Sequence, residues 1–131
     1  MMEDREEYFK ILDKKLLEGL KYYCHPDAPK EIIVHSKNAF QFSEEYKSEI
    51  MRKLFDPSKK HVKVTHEMEI NGRKVTIMRD PVMDGKITVI IHREPKNATL
   101  TFSEAYKILK RIEEILGVNI SWGEPFPRGS C

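Results

Sequence analysis

Residues 61–79 read HVKVTHEMEINGRKVTIMR, and this stretch decides the fold class. Val62, Val64, His66, Met68 and Ile70 alternate with Lys63, Thr65, Glu67 and Glu69, the period of a strand with one covered face. Asn71-Gly72 supplies the two positive-φ positions of a type I′ hairpin turn. A two-residue loop fixes the register: Ile70 faces Arg73, Glu69 faces Lys74, Met68 faces Val75 and His66 faces Ile77. That register supports itself, because it sets an opposite-charge pair and an apolar pair directly across from each other. A third run continues to Arg93. Pairing Ile77 with Val89 and Val75 with Ile91 keeps both apolar sets on one face and makes Asp80 to Lys86 a long loop. His66 and Arg79 then lie on the inward face. Thr76, Met78, Thr88 and Ile90 line the outward face, with Lys74 and His92 beside them.

Working toward the N-terminus, Tyr8, Phe9, Leu12, Leu16, Leu20 and Tyr23 recur at three- and four-residue spacings, which predicts a helix over about Asp4 to Tyr23. Cys24-His25-Pro26-Asp27-Ala28-Pro29 stops it. A short β-branched strand over Glu31 to His35 follows, then a turn at Ser36 to Asn38 and a second strand over Ala39 to Phe42. Ser43 reads as the N-cap of a middle helix that turns Tyr46, Ile50, Met51 and Leu54 inward and ends before Asp56-Pro57. Toward the C-terminus, Thr101 and Glu104 have the spacing of a capping box and Gly117 that of a helix stop. Phe102, Ala105, Leu109, Ile112 and Leu116 share one face between them.

The resulting order is helix, one or two strands, helix, three-strand meander over about 61–93, helix. This is an α+β fold, an antiparallel sheet packed by N-terminal, middle and C-terminal helices. With two early strands the order is similar to that of roadblock and profilin-like domains, which serve as interaction platforms and often dimerise. The resemblance implies an interaction role. Residues 1–117 read as one domain and 118–131 as a tail containing Pro and Gly. There Ile120, Trp122 and Phe126 order only if they find a pocket, since fixing each residue costs about 1–2 kcal/mol of backbone entropy.

At 131 residues the chain has room for one buried core. Twenty-three basic and 21 acidic side chains give a formal charge of +2, unlike the strong bias of a dedicated nucleic-acid binder. The Lys- and Glu-rich composition is one found in proteins from hot environments. No apolar run approaches the ~18 residues of a membrane span, and the acidic start lacks the parts of a signal peptide, so the cytoplasm is the expected compartment. A reducing cytoplasm favours free thiols at Cys24 and Cys131 over a long-loop disulfide.

Candidate chemistry is sparse. His66 and Arg79 share the inward face and would bind a small ligand or catalyse a reaction if a pocket opened beside them. Lys59, Lys60, Lys63, Arg73 and Lys74 cluster in sequence around the hairpin, the pattern a nucleic-acid binder would need, although Glu67 and Glu69 interrupt it. His61 and His66 differ by an odd number and point to opposite faces, and no Cys or His pair has zinc-site spacing. Neither a metal nor a cofactor is expected. Asp80 and Asp84 flank a loop in ordinary turn chemistry. The outward face is apolar in part, and Met78, Ile90, Trp122 and Phe126 are its candidate interface residues. The residues favour a protein–protein interaction or regulatory module without catalytic activity, as a homodimer or with another protein. A nucleic-acid binder, or a small-molecule binder or enzyme at His66 and Arg79, is the alternative.

Overall fold

A computed structural model describes residues 29–96 and 98–129. In chain order the elements are β1 (Glu31–His35), α1 (Glu49–Leu54), β2 (Val64–Ile70), β3 (Arg73–Arg79), β4 (Thr88–Pro95), α2 (Phe102–Leu116) and β5 (Phe126–Arg128). The fold is α+β: the five strands form one antiparallel sheet in the order β2-β3-β4-β1-β5, with two helices among the described residues. The expected helix over Asp4 to Tyr23, and both cysteines, lie outside the described residues.

The β2–β3 hairpin turns at Asn71 (φ 54°) and Gly72 (φ 76°). Its pairs are Ile70 with Arg73, Glu69 with Lys74, Met68 with Val75 and His66 with Ile77. Val75 faces Ile91 and Ile77 faces Val89 across β3–β4. The connecting loop contains a 3₁₀ turn, Pro81–Met83, capped by the Asp80 carboxylate. Gly85 (φ 79°) is required there, because a Cβ would sit 2.8 Å from the Phe40 carbonyl oxygen.

The core lies between one sheet face and the helices. Ile32, Val34, Val75, Ile77, Val89 and Ile91 meet Met51 and Leu54 of α1 and Phe102, Ala105, Ile108, Leu109, Ile112 and Leu116 of α2. Helix α2 starts as its sequence predicts, with Thr101 Oγ1 accepting from the Glu104 amide at 3.2 Å. It ends at Gly117 (φ 69°), whose N–H donates to Glu113 O. The Glu104 carboxylate, however, holds Arg73.

Two expectations need correction. Ala39 to Phe42 form no strand, so the paired early strands behind the roadblock and profilin-like comparison are not present among the described residues. Phe40 and Phe42 serve instead as packing for Phe55, at ring separations of 5.7 and 5.6 Å. The cap of α1 is Ser48, whose side chain accepts from Met51 N; Ser43 caps a turn at Glu45 N. The segment after Gly117 returns to the sheet. Ile120 is buried in the core, Trp122 bridges Ser36, and residues 126–128 pair with β1 as an edge strand. Pro127 is tolerated because it lies on an edge. Gly123, Pro125, Pro127 and Gly129 discourage a long strand here, and pairing with β1 supplies a short one.

Candidate functional site

Residues alternate across the sheet, so the face opposite the core is given by register. One row runs from Phe126 through Ile33 and Ile90 to Thr76, and the next contains His35, Thr88 and Met78. Ile33 is only 6% exposed yet stands outside the core cluster. Met78 and Ile90 are half-buried, and Phe126 is 43% exposed. The sheet therefore has a second, partly apolar face. Of the four expected interface residues it gathers Met78, Ile90 and Phe126. Trp122 is elsewhere, packed against the core, and its buried Nε1 has no hydrogen-bond partner among the described residues.

Two histidines order the polar part of this face. His35 Nδ1 lies 2.9 Å from Thr88 Oγ1. His92 Nε2 lies 3.1 Å from Thr76 Oγ1, and its Nδ1 lies 3.4 Å from Glu31 Oε2. Glu31 in turn accepts from Arg128 Nε. Burial pushes the His92 imidazole below its usual value, against the opposing pull of Glu31. Hydroxyl, imidazole and carboxylate thus stand in the order of a catalytic triad. Thr76 is nevertheless buried in mid-sheet, where a substrate carbonyl has no approach, so the chain of hydrogen bonds reads as a structural network. A cleft of about 530 Å³ opens at its end, lined by Lys30, Glu31, Lys74, His92, Arg93, Glu94, Arg128 and Gly129.

The two residues expected to bind a ligand have separate roles. Arg79 is fully buried. It donates through Nη2 to Lys59 O (2.6 Å) and Val62 O (2.7 Å), through Nη1 to Lys60 O (3.4 Å), and through Nε to Leu54 O. Its guanidinium lies 4.8 Å from the centre of the Phe42 ring. These carbonyls belong to the last residue of α1 and to the segment between α1 and β2, which begins with a 3₁₀ turn at Pro57–Lys59, so Arg79 ties that segment to β3. His66 is half-buried on β2, and burial, followed by the Lys53 charge, lowers its pKa.

The basic residues do not form one patch. Lys59, Lys60 and Lys63 are exposed at the start of β2, whereas Arg73 and Lys74 are at the far end of the hairpin, about 20 Å along the strand. Arg73 is fully buried. It donates to Arg93 O and Ala98 O (both 2.9 Å), to Thr99 O (3.0 Å) and to both oxygens of Glu104. Lys74 pairs with Glu67 at 3.3 Å. Pairing with Ile70 was the available signal for Arg73, since residues directly across share a face.

Among the described residues no group of three or more His, Cys, Asp or Glu is placed to hold a metal, and no helix is long and apolar enough to cross a membrane. No family model matches the chain, and no curated protein or solved structure matches it either.

Proposed function

We propose that this protein is a small protein–protein interaction or regulatory module, homodimeric, without catalytic activity, acting in the cytoplasm through the second face of its sheet. The observation that carries the reading is the set Phe126, Ile90 and Met78, apolar side chains that stay partly exposed on the face opposite the core. Fold alone does not assign function, and the reading rests on this surface. Aromatic and Met side chains beside a polar rim are the usual composition of an interface centre. Sedimentation at increasing concentration tests it. A dimer in the micromolar range that Ile90→Glu or Phe126→Glu dissociates is the expected result. A monomer at the highest concentration refutes it.

The cleft at the end of the His92 network favours a second reading, a small anionic ligand. Lys30, Lys74, Arg93 and Arg128 bring four cations there against Glu31 and Glu94. Inorganic phosphate should shift the His92 ring resonances saturably at low salt; unchanged resonances remove this reading.

A further inference from the structure

The opposite edge of the sheet has a use that the second-face reading leaves open. Among the described residues β2 has β3 on one side and no strand on the other. An antiparallel strand directs alternate residues' N–H and C=O groups to each side, so about half of the seven residues of β2 present unpaired backbone outward. Beside this edge a groove of about 660 Å³ separates β2 from α2. Met68, Ile70 and Ile115 give it apolar walls, Lys107, Lys110 and Arg111 of α2 give it a basic rim, and Glu69 and Glu114 also line it. Lys110 and Arg111 pair along the helix with Glu113 and Glu114, and Lys107 forms no ion pair among the described residues.

We propose that this groove binds an extended peptide segment of a partner protein, which adds to β2 as a sixth, hydrogen-bonded strand. Backbone pairing supplies the attraction, while alternate side chains set the preference. Alternate residues would face α2, apolar ones packing toward Met68 and Ile115 and acidic ones meeting Lys107 and the rim, while the residues between them would stand beside Glu67 and Glu69 on the other face, where basic side chains fit. Glu67 and Glu69, exposed on the outward side of β2, oppose a second copy of this chain. A two-fold pairing about the strand's midpoint would set Glu67 against its own counterpart. A foreign strand with basic residues opposite Glu67 and Glu69 carries no such penalty.

The probe is a synthetic nine-residue peptide with lysine at every second position, facing Glu67 and Glu69, and with three central valines and two terminal aspartates at the alternate positions facing α2, added to the isotopically labelled full chain. Backbone resonances and hydrogen exchange of β2 are the readouts. Saturable shifts along β2 and α2, with slowed exchange at alternate β2 amides, are expected. The same peptide N-methylated at alternate backbone nitrogens should bind at least about tenfold more weakly, because those groups no longer pair. Replacing its aspartates by lysines should cost about fivefold or more. Because these controls alter the peptide, the protein's own folding is not in question. Unchanged β2 resonances at millimolar peptide overturn the proposal. So does equal binding of the N-methylated peptide, or of the aspartate-to-lysine peptide. Protection of β2 that rises with protein concentration in the absence of peptide assigns the edge to a second copy instead and also overturns it. Loss of the dimer on Ile90→Glu with β2 binding retained would separate this result from the fate of the second-face reading.

Discussion

Replacing Arg79 by alanine should be among the most damaging single changes in the described chain. The side chain is fully buried, and its guanidinium donates to the carbonyls of Leu54, Lys59, Lys60 and Val62. A net hydrogen bond to a charged group contributes about 1.5–3 kcal/mol, and each carbonyl left buried without a donor costs about 1–3 kcal/mol. These terms do not add fully, since the freed segment relaxes and admits water. The contact with Phe42 is lost as well. A cost of about 3–5 kcal/mol follows, in the range for breaking a buried charged cluster. For a chain of this size that corresponds to a fall in Tm of about 10–20 °C. Arg79→Lys should recover only part, because an ammonium donates from one point and cannot span carbonyls on separate turns. Chemical denaturation followed by circular dichroism measures both. A loss below about 1 kcal/mol for Arg79→Ala would mean that water already satisfies these carbonyls, and the role assigned to Arg79 would be wrong.

Other changes follow from the same structure. Trp122→Phe should cost less than about 1 kcal/mol by thermal unfolding, since lost area is offset by removal of a buried, unpartnered indole N–H. Trp122→Ala should cost about 1.5–3 kcal/mol. Gly85→Ala should destabilise by about 1–3 kcal/mol, for its left-handed φ and the approach of the Phe40 oxygen; a neutral result would show the loop free to shift. Stability should also fall on acidification. Burial lowers the pKa of both His66 and His92 in the folded state, so the unfolded chain takes up protons first. The stabilisation is complete above about pH 6.5 and is lost as pH falls from there toward the lowered folded values. Melting curves between pH 7.5 and 5.5 should show this decline, and a His66→Gln, His92→Gln double variant should show less of it.

Much of the sheet was legible because turn chemistry and side-chain alternation constrain each other. Asn71-Gly72 gives the hairpin register, and keeping the apolar sets Val75/Ile77 and Val89/Ile91 on one face favours the observed alignment of β4. Helix α2 was legible at both ends from Thr101 and Gly117. What failed was local. Ala39 to Phe42 have a strand's alternation but serve as an aromatic bed for Phe55, a role set by distant residues. Strand β5 exists because Glu31 and the edge of β1 are there to receive it, and nothing within residues 126–128 says so. The arginines show the limit at the site. Charge counting put Arg73 in a basic patch, while the strand pairing already put it beside Ile70 on the covered face. His66 and Arg79 do share that face, but Arg79 meets backbone carbonyls, which leave no trace in a sequence.

The pairing of Glu31 with Arg128 has a mechanical side. It makes the first residue of the first described strand a neighbour of the last residue of the last strand, about 5 Å away between Cα atoms. Tension applied between those two points would not load the whole ladder in shear. It would open the β1–β5 pairing from its end, one hydrogen bond at a time, as a zipper opens. Resistance to pulling along this axis is therefore set by a three-residue strand and the Trp122 bridge behind it, while the β2–β3–β4 hairpins and the core beneath them bear no load until β5 has peeled away.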